Sequence, residues 1–348
     1  MNKIKNPYRV KKTILQMIDS LSLDLSNMTV LTEAGSGAFI VTPIIAVMAG
    51  ASKVFVIIKD SIYGSKTDII EYLNNLINLL EIKNNTIEIV DDVFSIADKV
   101  NIVTNLGFVR PIKENLISKL PKDSAISLMY ETWEVRNSDI DFEACNKYSI
   151  PFLGTRETDN RLKIFYYVGL LALKLLFEAE IEVFESNILI VSSGQFLSNI
   201  TNLLRKNYAN VFIYNPLKHG NNNKLNDILQ IADAIVIAEQ VCTDILISDT
   251  SKHINTDNLS NCKAEIIHIS GLLDYDFLDN LNLNIHPEKK VNYGYMTVTT
   301  DYVGITPVIK LHSAGLKVGQ ALIDGLRKFN DIGKAKKYAL SNSPAMDF

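Results

Sequence analysis

An alternation constrains this chain more than any single motif. From residue 28 onward, short runs rich in β-branched residues are separated by segments long enough for a helix: MTVLTEAG (28–35), KVFVIIKD (53–60), TIEIVDD (86–92), VNIVTNLG (100–107), SAISLMYE (124–131) and IPFLGT (150–155). Apolar strands interleaved with helices are what a parallel sheet covered on both faces requires, because each parallel connection must cross over the sheet. A long apolar helix is expected over 160–179, after which the pattern restarts with NILIVSS, NVFIYNP, DAIVIAE and AEIIHIS. The chain therefore reads as α/β, with two Rossmann-like doubly wound parallel-sheet domains and an interdomain cleft. Apolar residues at helical spacing over 306–329 predict a last helix that packs back on the first domain. The expected domains are 1–157 completed by 306–348, and 158–305.

Composition narrows the function classes. A chain of 348 residues, 47% hydrophobic, has enough apolar side chains for two cores. The net charge is −4 and no basic stretch is interleaved with aromatics, which argues against a nucleic-acid partner. The apolar stretches 39–51 and 164–177 fall short of the roughly 20 residues of a membrane span. MNKIKNPYRVKK is basic but leads into no apolar signal core. The three cysteines, Cys145, Cys242 and Cys262, lack CxxC spacing, and no two of the five histidines are spaced as metal ligands. A cytoplasmic protein without a metal is the expectation.

ILIVSSGQFLSNI (188–200) has the form of a strand, a small-residue turn and a helix, the start of many nucleotide sites. Phosphates bind the free N–H groups at such a helix start. Ser192, Ser193, Gly194, Gln195 and Phe196 are the candidate cofactor contacts; Gly194 stands where a side chain would block a pyrophosphate. Leu197 replaces the third glycine of the dinucleotide fingerprint. At the end of the next strand stands Asn215, where an NAD site would carry an acid, with Lys218 and His219 beyond it. A cation without an acid suits the 2′-phosphate of NADP, and a solvated turn accounts for the same residues. NADP or NAD is the expected cofactor.

A second strand–turn–helix is VLTEAGSGAFIVTPII (30–45), with Gly35 and Gly37 in its turn and Asp60 at the tip of the following strand. It resembles the first motif of S-adenosylmethionine-dependent methyltransferases, with Glu33 in the acidic position; a tightly packed β–α turn is the plain alternative. Further along, YETWEVR (130–136) would place Glu131, Trp133, Glu134 and Arg136 at the ligand-binding edge of the first sheet, with Arg110 in NLGFVRPI on the same edge. The arginines could clamp an anion; each also suits an ordinary surface ion pair. His268, at a strand end, and His312, on the last helix, are candidates for proton transfer with Glu131, or else structural histidines.

Over about residues 28–329 the chain resembles the clan of the D-2-hydroxyacid (formate/glycerate) dehydrogenases and S-adenosylhomocysteine hydrolases. NSDIDFEACNKYSIPFLGT is similar to the turn, helix and strand that close the substrate domain there. TDNRLKIFYYVGLLALKLL resembles the interdomain helix, ADAIVIA the fourth cofactor-domain strand, AEIIHISGLLDYDFL the hydrolase segment with Gly271 and Asp274, and GITPVIKLHSAGL the dehydrogenase Thr-Pro-His stretch. The resemblance implies a dinucleotide in the second domain and hydride transfer in the cleft. The chain departs from the family at the chemistry: no arginine follows IIHIS, and Val308 stands at the place of the catalytic histidine, with His312 one turn on. The expected activity is therefore NAD(P)-dependent oxidation or reduction of an unusual small polar or anionic substrate by a homodimer paired through the 160–179 helix. The alternatives are an adenosine-ligand enzyme using the Gly-Ser-Gly loop, and a non-catalytic ligand sensor.

Overall fold

The computed structural model describes residues 4–82, 86–136, 138–218 and 223–348. The chain divides into two compact units, Met1–Ile164 with Gly304–Phe348, and Phe165–Val303.

In the first unit, helices α1 (Pro7–Leu21), α2 (Val41–Met48), α3 (Lys66–Leu79), α4 (Glu114–Ile117) and α5 (Phe142–Tyr148) alternate with six parallel strands. These are β1 (Thr29–Glu33), β2 (Lys53–Ile57), β3 (Ile87–Ile89), β4 (Ile102–Thr104), β5 (Ala125–Ser127) and β6 (Phe152–Thr155). Local signals set the helix starts: Asn6 caps α1 by accepting the Arg9 N–H ahead of Pro7, and Ser65 caps α3 through Asp68 N–H.

The second unit runs α6 (Phe165–Glu178), β7 (Asn187–Val191), α7 (Phe196–Lys206), β8 (Asn210–Tyr214), α8 (Asn223–Ile231), β9 (Ala234–Ala238), β10 (Ile245–Ile247), α9 (Thr256–Leu259), β11 (Glu265–Ser270), β12 (Leu272–Leu273), α10 (Tyr275–Asn280) and β13 (Ile285–His286). The helix expected over 160–179 begins only at Phe165. Asp159 accepts the Arg161 N–H and its guanidinium, and Lys163 takes a positive φ of 53°, which breaks the helical run. The chain then returns to the first unit as α11 (Thr306–Phe329), α12 (Ile332–Asn342) and β14 (Ala345–Met346). Gly315 and Gly319 let α11 lie close on the sheet, since a Cβ would meet Met129 Sδ at 2.5 Å and Ile102 Cγ2 at 2.7 Å.

Strand order separates the two sheets. The first is β14-β6-β5-β4-β1-β2-β3, which, numbered from β1, is the 3-2-1-4-5-6 order of dinucleotide folds with an antiparallel strand, β14, added at the β6 edge. The second is β13-β11-β9-β7-β8, the 2-1-3-4-5 order of flavodoxin-like folds. β10 and β12 form a separate two-stranded sheet. In each main sheet the order reverses at one place, between β1 and β4 and between β7 and β9. Ligands of open α/β sheets bind outside the strand C-termini at such a switch point.

Candidate functional site

At the first switch point, β1 ends on Glu33, which is only 6% exposed. Its carboxylate accepts the Phe108 N–H from the loop after β4 and so joins the two strands on either side of the reversal. Burial pushes its pKa up, against the opposing charges of Arg110 and Lys59. Next comes the Gly35-Ser36-Gly37 turn into a short 3₁₀ segment and α2. Gly37 has φ +60°, a conformation that L side chains disfavour, and a Cβ there would meet nothing within 4 Å. Asp60, exposed beyond β2, accepts the Lys66 N–H at 2.7 Å. Asn105, fully buried after β4, accepts the Met129 N–H at 2.8 Å. Its Nδ2 has no hydrogen-bond partner among the described residues.

A carboxylate cluster stands on the same edge, beyond β5 and β6. Glu131, 5% exposed, accepts the Trp133 indole N–H at 2.8 Å and the Glu157 N–H at 3.0 Å. Its own N–H donates to Glu134 at 3.3 Å. Glu134 is exposed as a residue, with partial desolvation of its carboxyl beside Glu131. That desolvation, with the Glu131 charge beside it, pushes its pKa up to about 7. Glu157 is raised well above the usual carboxylate range, by burial first and then by the Glu134 and Glu131 charges. Trp133 is 57% exposed. Arg110 pairs with Asp139 at 2.8 Å, and its buried Nε has no partner among the described residues. Arg136 is exposed, and its charge draws the Glu134 pKa down against the larger upward effects.

The second switch point is built differently. Ser192, fully buried, donates to Ala238 O at 2.7 Å and ties β7 to β9. Glu239, 2% exposed at the end of β9, turns its carboxylate onto the loop where a phosphate would be sought. It accepts Ser193 N–H at 2.5 Å, Ser193 Oγ–H at 2.7 Å, Val241 N–H at 2.6 Å and Cys242 N–H at 2.8 Å. A Cβ on Gly194 would meet Gln240 Oε1 and Val241 Cγ2, each at 3.4 Å. Gly194 is thus half-buried between Gln240 and Val241, with the Ser193 N–H beside it already taken up by Glu239. Gln195 stands at the N-cap position of α7 without a side-chain capping hydrogen bond, and Phe196 is buried against Phe165 with ring centroids 5.9 Å apart. Asn215 Oδ1 accepts the Leu217 N–H at 2.9 Å in an Asx turn. Lys218 is exposed, and His219 lies outside the described residues.

Both candidate histidines are interior. His312, 4% exposed, has Nδ1 at 2.7 Å from the Thr42 hydroxyl, and burial pushes its pKa down to about 3. His268 has no exposed surface; its Nε2 lies 3.0 Å from Gly271 O, its Nδ1 accepts or donates with Tyr275 OH at 3.1 Å, and burial lowers its pKa to about 4. Burial thus favours the neutral form of both rings. Sequence reading missed Glu239, Glu157 and Asn105. Glu239 carried a signal, an acid ending the apolar run DAIVIAE, but its meaning depends on β9 lying beside β7.

No family model matches the chain, and no curated protein matches it. Among solved structures it is similar to a dipicolinate synthase subunit from Bacillus halodurans, with 9% identity, a TM-score of 0.55, and coverage of 83% of this chain and 96% of that one. It also matches an NAD+-bound 3-phosphoglycerate dehydrogenase of Entamoeba histolytica at 13% identity and TM-score 0.43, covering 81% and 97%. A D-mandelate dehydrogenase of Rhodotorula graminis follows at 13% and 0.42, covering 78% and 95%. Among the described residues no helix is long and apolar enough to cross a membrane. The chain has the fold of the dipicolinate synthase protein, and solved D-2-hydroxyacid dehydrogenases stand among its structural neighbours.

Proposed function

We propose that the protein is a nicotinamide-dependent oxidoreductase acting on a small polar or anionic substrate, and that its dinucleotide sits on the Gly35-Ser36-Gly37 turn of the first unit. One observation carries this reading: the 3-2-1-4-5-6 strand order, with an open glycine turn at its switch point and an acid at the tip of β2. The residues there suit the group, because Gly37 leaves room for a phosphate and Asp60 can accept ribose hydroxyls. Asp60 would also repel a 2′-phosphate, which favours NAD over NADP. When bound, the cofactor supplies the hydride chemistry.

This chain's residues hold the substrate and move one proton. Glu134, with a pKa near neutrality, can both give and take a proton at physiological pH. Glu131, fixed by Trp133 and the Glu157 N–H, orients it, and Arg136 supplies positive charge for an anionic group. S-adenosylmethionine is the second reading, favoured by the buried acid Glu33 at the end of β1 just before the glycines.

Calorimetry with NAD(H), NADP(H) and S-adenosylmethionine tests the reading on wild type, Gly37→Val and Gly194→Val, with circular dichroism to check folding. NAD(H) is expected to bind wild type and folded Gly194→Val, and not folded Gly37→Val. Absence of affinity for NAD(H) at millimolar concentration sinks the nicotinamide reading.

The expected homodimer has a candidate face in α6. Tyr166, Leu170 and Phe177 share one side of the helix and are 67%, 39% and 59% exposed. Pairing of two copies there predicts that Phe177→Glu sediments as a monomer at a concentration where wild type does not. The expected cytoplasmic setting accords with three free cysteines.

A further inference from the structure

We propose that Cys242, Asp244 and His253 bind a divalent transition metal of zinc type, with a fourth position facing solvent. The three residues come from the chain on either side of β10, which folds back so that His253 meets the segment before the strand. The return is braced by Ile254 N–H on Leu246 O at 3.1 Å, by Ser251 Oγ on Ile245 O at 2.8 Å, and by His253 N–H on Ser251 Oγ at 3.1 Å.

The donor atoms form a closed triangle. Cys242 Sγ lies 3.4 Å from Asp244 Oδ2 and 3.7 Å from His253 Nε2, and Asp244 Oδ2 lies 3.3 Å from the same Nε2. Tetrahedral zinc with ordinary bond lengths separates its nitrogen and oxygen ligands by about 3.3 Å and its sulfur from either by about 3.5 Å. Without a metal the Cys242 thiol and the His253 Nε2–H can both donate to Asp244 Oδ2, and a metal would take the place of those two protons on the same three atoms. A nucleophile relay does not fit: such a histidine uses one nitrogen for the thiol and the other for the acid. Here Nδ1 goes to Tyr214 OH at 3.2 Å. An outer partner of that kind fixes the ring of a metal-bound histidine and aims Nε2.

Soft thiolate, borderline imidazole and one carboxylate select zinc or cobalt over magnesium or calcium. The buried His253 and Cys242 supply the rigid side of the site, and the exposed Asp244 the entry side. Lys252 competes from that side, with Nζ 2.8 Å from Asp244 Oδ2, but its side chain is 63% exposed and free to swing out. This site is separate from the glycine turn of the first unit and stands or falls without it.

The test is cobalt(II) and zinc(II) titration of the full-length protein after chelator treatment. One equivalent of cobalt is expected to give a thiolate-to-metal charge-transfer band and the intense visible bands of tetrahedral cobalt, both displaced by zinc. Cys242→Ser should abolish the charge-transfer band. Asp244→Asn, a change at an exposed position, should weaken binding at least tenfold without affecting folding. Lys252→Ala should tighten it several-fold. A titration without tetrahedral bands, or with bands unchanged in both Cys242→Ser and Asp244→Asn, overturns the proposal.

Discussion

The two switch points of this molecule hold the same kind of residue for opposite ends. Glu33 and Glu239 are both buried acids at the end of a strand, each bonded to the loop across the reversal of its sheet. Glu33 takes one backbone N–H and lies against the buried Gly35, while Gly37 two residues on is unobstructed. Glu239 takes three backbone N–H groups and a hydroxyl, and a Cβ on the half-buried Gly194 would be in contact with Gln240 and Val241. In the second unit Glu239 takes up the Ser193 N–H of the loop before α7 and two N–H groups of its own loop, while among the described residues the Gly37 turn of the first unit has no such carboxylate on it.

Removing each acid should break the comparison most sharply. Glu239→Ala leaves three inward N–H groups without their acceptor and is expected to cost about 4 kcal/mol in chemical denaturation. A loss as small as that of an exposed residue would mean that the second switch point is not held by its carboxylate.

Acid should separate the units next. His268 belongs to the second unit, and its folded pKa of about 4 lies below the unfolded value of about 6.5. The unfolded state therefore binds the extra proton as pH falls through this window, and stability is lost between about pH 6.5 and 4, by on the order of 3 kcal/mol. His312 acts in the same sense in the first unit, from a folded pKa of about 3. There it is opposed by Glu33, Glu134 and Glu157, whose values are all raised by burial, so that the folded state holds their protons better than the unfolded state as pH falls. Hydrogen exchange at pH 5 is expected to show amides of β7, β9 and β11 losing protection before those of β1, β4 and β5. The reverse order would contradict the assignment of these burdens.

Smaller effects sharpen the first site. Asp60→Asn should weaken NAD about tenfold, the loss of roughly one charge-assisted hydrogen bond, while easing the bias against NADP. Equal loss for both cofactors would remove Asp60 from the ribose. Glu33→Gln should change stability by less than about 1 kcal/mol, since one N–H can still find the amide oxygen and the buried charge is relieved.

Sequence pattern carried the fold a long way. All six parallel strands of the first sheet and β7, β8, β9 and β11 of the second fall within the apolar runs; the inner strands are apolar because both faces are covered, while the edge strands β3 and β8 keep exposed positions. α11 also matches its periodicity. β10, β12, β13 and β14 have two or three residues each, too few for any period to show. Strand order was beyond reach: 3-2-1 and 2-1-3 arrangements have the same local pattern, and only tertiary pairing decides between them. The same limit hid Glu239, which matters because β9 lies beside β7. It also hid the Cys242–His253 convergence, which comes from a fold-back around β10 rather than from regular ligand spacing. Gly37, Asp60, Glu131 and Glu134 could be named from the sequence because each follows an apolar strand run, in the segments beyond β1, β2 and β5.

The first switch point is unobstructed at Gly37, and the second carries Glu239 against its loop. Hydrogen–deuterium exchange of the full-length protein with and without saturating NAD(H) measures this directly, since a phosphate seated on backbone N–H groups slows their exchange. Protection is predicted for amides in residues 34–41, with those of residues 192–198 unchanged. Protection confined to residues 192–198 would contradict the account and return the dinucleotide to the loop that Glu239 now fills.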